Sequence, residues 1–139
     1  MYSLLLSAHI VAGILFVGPV AVAASLFPRY APVDGRGSAD VAGVLYRITR
    51  VYGLLALAVP VVGVILALTQ SRLGDLWVIV AMVLTAVAGA LLALSIAPTQ
   101  RAALHSPGEN ARLRRLGMTT GMFNLLWVVV VVLMIVRPT

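Results

Sequence analysis

The fold is decided by residues 3–27, which read SLLLSAHIVAGILFVGPVAVAASLF without one Asp, Glu, Lys or Arg. A bilayer core of about 30 Å requires about 20 apolar residues in helical form, so this stretch predicts a membrane-spanning helix. A cleaved signal peptide is the alternative, because Ala21-Val22-Ala23 has the small residues of a cleavage site. The length of the run and the lack of a preceding positive charge favour a retained anchor.

Three more apolar stretches of similar length follow the first one. They run from Val51 to Gln70, from Leu76 to Ile96 and from Met118 to Val136. The connections between them are short, which favours antiparallel packing of consecutive helices. The sequence therefore predicts one all-α domain over residues 1–139, an up-down bundle of four transmembrane helices.

The composition excludes several other classes of protein. Hydrophobic residues make up 62% of the chain, charged residues make up 10%, and the mean hydropathy is +1.10. A soluble domain has about 45–50% apolar and about 25% charged residues, so a water-soluble globular protein is excluded. The sequence has no cysteine, which excludes disulfides and thiol catalysis.

Three residues predict details of the helix boundaries. Ser38 is expected to cap a helix that begins near Ala39, before the second apolar stretch. Pro60 lies inside that stretch and is expected to kink the helix and free a carbonyl group near the middle of the membrane. Pro98 is expected to end the third helix.

The basic residues predict the orientation in the membrane. The net charge of +6 comes from ten Arg and no Lys, and these Arg lie between apolar runs, which favours a role in topology over nucleic-acid binding. Eight Arg lie in the connections between the first and second and between the third and fourth stretches, whereas only Arg72 and Arg137 lie on the opposite side. We therefore expect both Arg-rich connections in the cytoplasm and both termini outside.

Two clusters of Arg flank the second and fourth stretches, and two interpretations of them stay open. They are able to bind anionic lipid headgroups, with about 1 kcal/mol for each residue near the membrane surface, or an acidic partner protein. Alternatively, they serve only to set the topology. The residues concerned are Arg47, Arg50, Arg112, Arg114 and Arg115.

His9 is the one ionisable residue inside the first stretch. An ionisable residue at that depth indicates a functional site, and an imidazole can ligate haem iron, relay protons or bind a quinone oxygen. Met82, in the same half of the membrane, is the candidate second ligand of a haem. The alternative is a neutral His9 with one hydrogen bond to a neighbouring helix. No Asp or Glu lies within a stretch, which excludes a His–carboxylate metal site.

Small and polar residues predict where helices pack against one another. Gly89, Gly117 and Gly121 allow close approach of a neighbouring helix, either inside the bundle or in a homodimer. Asn124 has an amide that is costly to leave unpaired in lipid, so it is also expected at a contact between helices.

The two ends of the chain resemble a family of uncharacterised bacterial integral membrane proteins. The resemblance rests on residues 5–18 (LLSAHIVAGILFVG), on residues 123–127 (FNLLW) and on the terminal Arg137-Pro138. It implies a location in the bacterial inner membrane. The chain is more distantly similar to copper-resistance D-type proteins and to HemJ-type protoporphyrinogen oxidases, a resemblance that implies a haem at His9. The chain departs from the HemJ-type pattern because Leu follows Asn124 where that pattern has Glu.

Three hypotheses for the function follow. The first is a non-catalytic accessory or structural subunit of a larger membrane complex, such as a respiratory one. The second is a redox protein that binds haem or quinone through His9, and the third is a carrier of small molecules. The sequence has no phosphate-binding glycine loop, nucleophile elbow or paired carboxylates, which favours the non-catalytic hypothesis.

Overall fold

The computed structural model describes residues 2–32, 37–105 and 110–137. Arg36, which belongs to the charge bias, and Pro138, from the terminal motif, lie outside these ranges. The described chain is all-α and forms a four-helix bundle, which confirms the predicted fold class. Within it, four helices are long and apolar enough to cross a membrane, and we call them the first to fourth spans: Ser3–Tyr30, Ala39–Thr69, Leu76–His105 and Ala111–Val136.

Three of the four spans consist of more than one regular segment. The first and third spans each contain a π-helical turn, and the second contains a short non-helical turn. In chain order the segments are α1 (Tyr2–Ala12), the first π-turn (Gly13–Val17), α2 (Gly18–Tyr30), α3 (Ala39–Leu55), α4 (Ala58–Thr69), α5 (Leu76–Leu91), the second π-turn (Leu92–Ile96), α6 (Ala97–His105) and α7 (Asn110–Val136).

Each π-turn ends two residues before a proline, Pro19 in the first span and Pro98 in the third. In the second π-turn, the N–H group of Ala97 donates to the carbonyl oxygen of Leu92, five residues back. A proline ring clashes with the carbonyl group four residues before it, and the wider π-turn lets the helix accommodate the ring. The prediction that Pro98 ends the third helix is therefore wrong, because the helix continues to His105.

The second span begins where the sequence predicts. Ser38 has an extended backbone, and its Oγ accepts a hydrogen bond of 3.3 Å from the N–H group of Val41. This bond satisfies one of the free N–H groups at the start of α3. The predicted cap at Ser38 and the predicted helix start at Ala39 are both confirmed.

The predicted interruption at Pro60 is also present, but the prediction that it frees a carbonyl group is wrong. The helix breaks at Ala56 and Leu57, one turn before the proline. Pro60 has no N–H group to offer the carbonyl oxygen of Ala56, and that oxygen accepts instead from the N–H group of Val59 at 3.0 Å. This hydrogen bond spans three residues instead of four, and it gives the carbonyl oxygen a partner inside the membrane-spanning region.

The bundle core lies near the Arg-rich end, which we define as the end where α2 and α6 finish and α3 and α7 begin. There α2 packs against α3 and α7, and α6 packs against α3 and α7. The side chains of Phe27, Ile96 and Leu116 are completely buried in this core. All four spans contribute to it, so this half of the molecule forms a closed bundle.

The opposite, Arg-poor half is more open. There α1 packs mainly against α4, and α5 packs mainly against α7. Few contacts join these two pairs, because α5 touches α4 only lightly. At the ends of the third and fourth spans, the guanidinium of Arg137 lies 5.7 Å from the ring centre of Trp77, a distance typical of a cation–π contact. The two halves of the membrane-spanning region thus differ in how tightly their helices are held.

Candidate functional site

His9 lies in the Arg-poor half, between α1 and α4. Its side chain is only 9% exposed, and its Nδ1 lies 3.0 Å from the carbonyl oxygen of Val59. Because a carbonyl oxygen only accepts, Nδ1 must carry the hydrogen of this bond. The bond joins the first span to the second, just after the interruption at Ala56 and Leu57. We call His9, Val59 and Gly63 together the histidine clasp.

Gly63 provides the space that the imidazole occupies. A Cβ atom at this position would lie 2.9 Å from Cε1 of His9, closer than a Cβ atom approaches another heavy atom. Only a glycine therefore lets α4 come this close to the histidine. Val59 and Gly63 lie one helical turn apart, so both face α1. Sequence reasoning missed these two partners, because one is a backbone carbonyl group and the other is identified only by its contact with His9.

Met82 is not placed as the second haem ligand that the sequence suggested. It lies on α5, which packs mainly on α7, and its side chain is 43% exposed. His9 is enclosed on the other pair of helices by α4. His9 and Met82 thus lie on different pairs of helices, and the described contacts of His9 are those of a bridge between helices; a haem at His9 stays a prediction.

A groove lies between α3 and α6 at the Arg-rich end. Its volume is about 450 Å³, and it is a shallow depression that is broadly open to the surroundings. Two arginines, a histidine and a tyrosine provide its polar groups, and small residues form its floor. The lining residues are Tyr46, Arg50, Ala93, Ala97, Pro98, Arg101, Ala102 and His105. We call this feature the basic groove. Of the five predicted contact arginines, only Arg50 lines it, whereas Arg101 and His105 were not among the predicted site residues.

The other predicted arginines lie elsewhere at the same end. Arg47, Arg114 and Arg115 are exposed outside the groove. Arg112 Nη1 donates to the carbonyl oxygen of Ala102 at 3.1 Å, so it joins the start of α7 to α6. A cation near the last carbonyl groups of a helix is favourable, which gives Arg112 a role in packing.

The three predicted packing glycines lie on outward faces. Gly89, Gly117 and Gly121 are exposed, and a Cβ built at each meets no atom of the described chain within 4 Å. The prediction that they pack inside the bundle is therefore wrong. Asn124, in contrast, lies at a contact between spans, because its Nδ2 donates to Oγ of Ser25 at 2.9 Å.

Within the described ranges, two buried polar residues have no hydrogen-bond partner, and the buried indole Nε1 atoms of Trp77 and Trp127 have none either. Gln100 is completely buried, and neither its Oε1 nor its Nε2 forms a hydrogen bond there. It lies between Ile96 and Ala103 on the side of α6 that faces the core. The hydroxyl of Thr120, 3% exposed on α7, is likewise unpaired there. Sequence reasoning did not single out Gln100.

No protein-family model, curated protein or solved structure matches this chain. The resemblances that the sequence suggested therefore stay predictions, and the function is argued from the geometry alone.

Proposed function

We propose that this protein is a non-catalytic accessory subunit that packs against a transmembrane helix of a larger complex in the bacterial inner membrane. The observation that carries the proposal is the outward position of Gly89, Gly117 and Gly121. In lipid, helices associate by close packing and not by the hydrophobic effect, and small residues are enriched where they meet. Glycines that the bundle does not use itself support a contact with another chain.

The two glycine-containing faces have room for such a helix. On α5, Gly89 lies beside Ala86 and Ala90, and Ala93 follows in the second π-turn; all four residues are exposed. On α7, Gly117 and Gly121 are one turn apart and present the same side of the helix, a spacing typical of close helix pairs. On the Gly89 face a partner helix would meet backbone and small side chains. On α7 it would meet the backbone at Gly117 and Gly121, between the exposed side chains of Met118 and Met122.

Substitution of these glycines tests the accessory role. We expect Gly117→Leu/Gly121→Leu to reduce the protein that co-purifies in mild detergent by about tenfold, which corresponds to about 1.4 kcal/mol of association energy. Helicity and thermal stability should be unchanged, because both side chains would project from the bundle. Gly43→Leu is the matched control, since Gly43 also has open space around it but lies on α3. A wild-type protein that elutes as a lone monomer, or only as a homodimer, would contradict the proposal.

The proposed orientation has a separate test. We expect the Arg-rich connections in the cytoplasm, because arginine is retained on that side during insertion. The chain has no cysteine, so single-cysteine variants report without background. In spheroplasts, a membrane-impermeant maleimide should label Ser71→Cys, and it should label Ala39→Cys only after permeabilisation. Both positions are exposed, so the reverse pattern would show that the orientation is inverted.

A further inference from the structure

The basic groove has a polar end and an apolar end. Ala93, Ala97, Arg101 and His105 follow one another at intervals of four residues, so they form one stripe along the third span. The stripe begins with Ala93 and Ala97 towards the middle of the span. It ends with Arg101 and His105 at the Arg-rich end. From Ala93 to Arg101 the helix rises by about 12 Å. The groove therefore changes from apolar to basic along the direction that crosses the bilayer.

The polar end carries two guanidinium groups, and no acidic residue of the described ranges lies beside them. Arg50 comes from α3 and Arg101 from α6, so the two cations are brought together by the packing of these helices. Among the described residues, no carboxylate lines the groove and neither arginine forms an ion pair. Guanidinium groups bind phosphate through paired, charge-assisted hydrogen bonds. The Tyr46 hydroxyl and the His105 imidazole add further donors at the same end.

The size and the apolar floor indicate which phosphate compound fits. A volume of about 450 Å³ is within the range of sites for small ligands, about 300–1,000 Å³. A free phosphate would use only the basic end and would leave Ala93 and Ala97 uncovered. A molecule with a phosphate at one end and a hydrocarbon chain at the other matches the whole groove.

We propose that the basic groove binds an anionic phospholipid, with its phosphate on Arg50 and Arg101 and one acyl chain along Ala93 and Ala97. The depth of the site agrees with this occupant, because the end of a membrane span is where lipid phosphates lie. This lipid site shares Ala93 with the Gly89 face, but it is separate from the face of Gly117 and Gly121, whose substitution tests the accessory role.

The test measures binding of dioleoyl phosphatidylglycerol to the full chain in detergent by native mass spectrometry. We expect Arg50→Gln/Arg101→Gln to weaken binding by about 30-fold, from about 1 kcal/mol for each arginine and 1.4 kcal/mol per tenfold change. Arg114→Gln/Arg115→Gln removes the same charge from the same end but outside the groove, and should change binding by less than about threefold. Equal losses in the two variants would overturn the proposal and would indicate a diffuse electrostatic surface.

Two further arms separate a lipid site from a simple anion site. Glycerol 3-phosphate, which has the phosphate without acyl chains, should not displace the lipid at equal concentration. Ala93→Leu, at an exposed floor position, should weaken binding of the dioleoyl lipid more than binding of the dihexanoyl lipid. Displacement by glycerol 3-phosphate, or no effect of Ala93→Leu, would show that only the anion is recognised.

Discussion

Gly63→Leu is expected to lower the free energy of unfolding by about 1–3 kcal/mol, because the added side chain would overlap the imidazole of His9. The ring cannot move aside easily, since its Nδ1 is held 3.0 Å from the carbonyl oxygen of Val59 and only 9% of the side chain is exposed. Reversible unfolding in mixed micelles, titrated with sodium dodecyl sulfate and followed by circular dichroism, measures this change.

A double-mutant cycle shows whether the loss arises at the histidine clasp. His9→Ala alone removes one hydrogen bond between helices, an interaction of about 0.6 kcal/mol on average in membrane proteins, together with the packing of the ring. In the His9→Ala background, Gly63→Leu should cost little, because the space of the ring is then free. We expect a coupling energy of at least about 1 kcal/mol between the two positions.

Gly43→Leu serves as the control for this cycle. A Cβ at Gly43 meets no described atom within 4 Å, so the same substitution there should change stability by less than about 0.5 kcal/mol. If Gly63→Leu costs as much without His9 as with it, the clasp does not hold α1 against α4. His9 would then require a different explanation.

Gln100→Met is expected to raise the free energy of unfolding by about 1–3 kcal/mol, which is the cost of burying an amide without hydrogen bonds. Gln100 is completely buried, and within the described chain both of its amide atoms are unpaired. Methionine has a similar length and volume, so the exchange removes the polar atoms without creating a large cavity. The same titration with sodium dodecyl sulfate measures the gain.

Thr49→Val is the matched control for Gln100→Met. Thr49 is also completely buried and polar, but its hydroxyl already donates to the carbonyl oxygen of Leu45 at 2.9 Å. This change should therefore alter stability by less than about 1 kcal/mol. A loss of stability in Gln100→Met would mean that the amide has a partner in the membrane, such as a buried water molecule.

Helix number and several boundaries follow from the sequence because they depend on local physical requirements. A bilayer fixes the length of an apolar span, and Ser38 supplies an oxygen to the first N–H groups of α3. Which face of each helix points into the bundle cannot be predicted from the sequence in the same way. In lipid the outside of a bundle is as apolar as its core, so the run from Leu76 to Leu91 carries little information about which side is buried. This is why the position of Gly89 was wrongly predicted.

The two candidate sites depend on contacts between distant parts of the chain. His9 was identified from its charge and depth, but its partner is a backbone carbonyl, which any residue possesses. Arg50 and Arg101 are brought to one groove only because α3 packs against α6. The proline signals were also ambiguous, since Pro98 follows a π-turn that allows the helix to continue, which local sequence rules do not anticipate.

The uninterrupted fourth span has a mechanical consequence. A helix with an irregular turn bends there more easily than a regular helix does. The first three spans each have such a point, whereas α7 is regular from Asn110 to Val136. When the surrounding bilayer becomes thinner or thicker, the first three spans can flex and α7 can respond only by tilting as a rod. Changes in membrane thickness would therefore move the α1–α4 pair relative to α7, which stays straight.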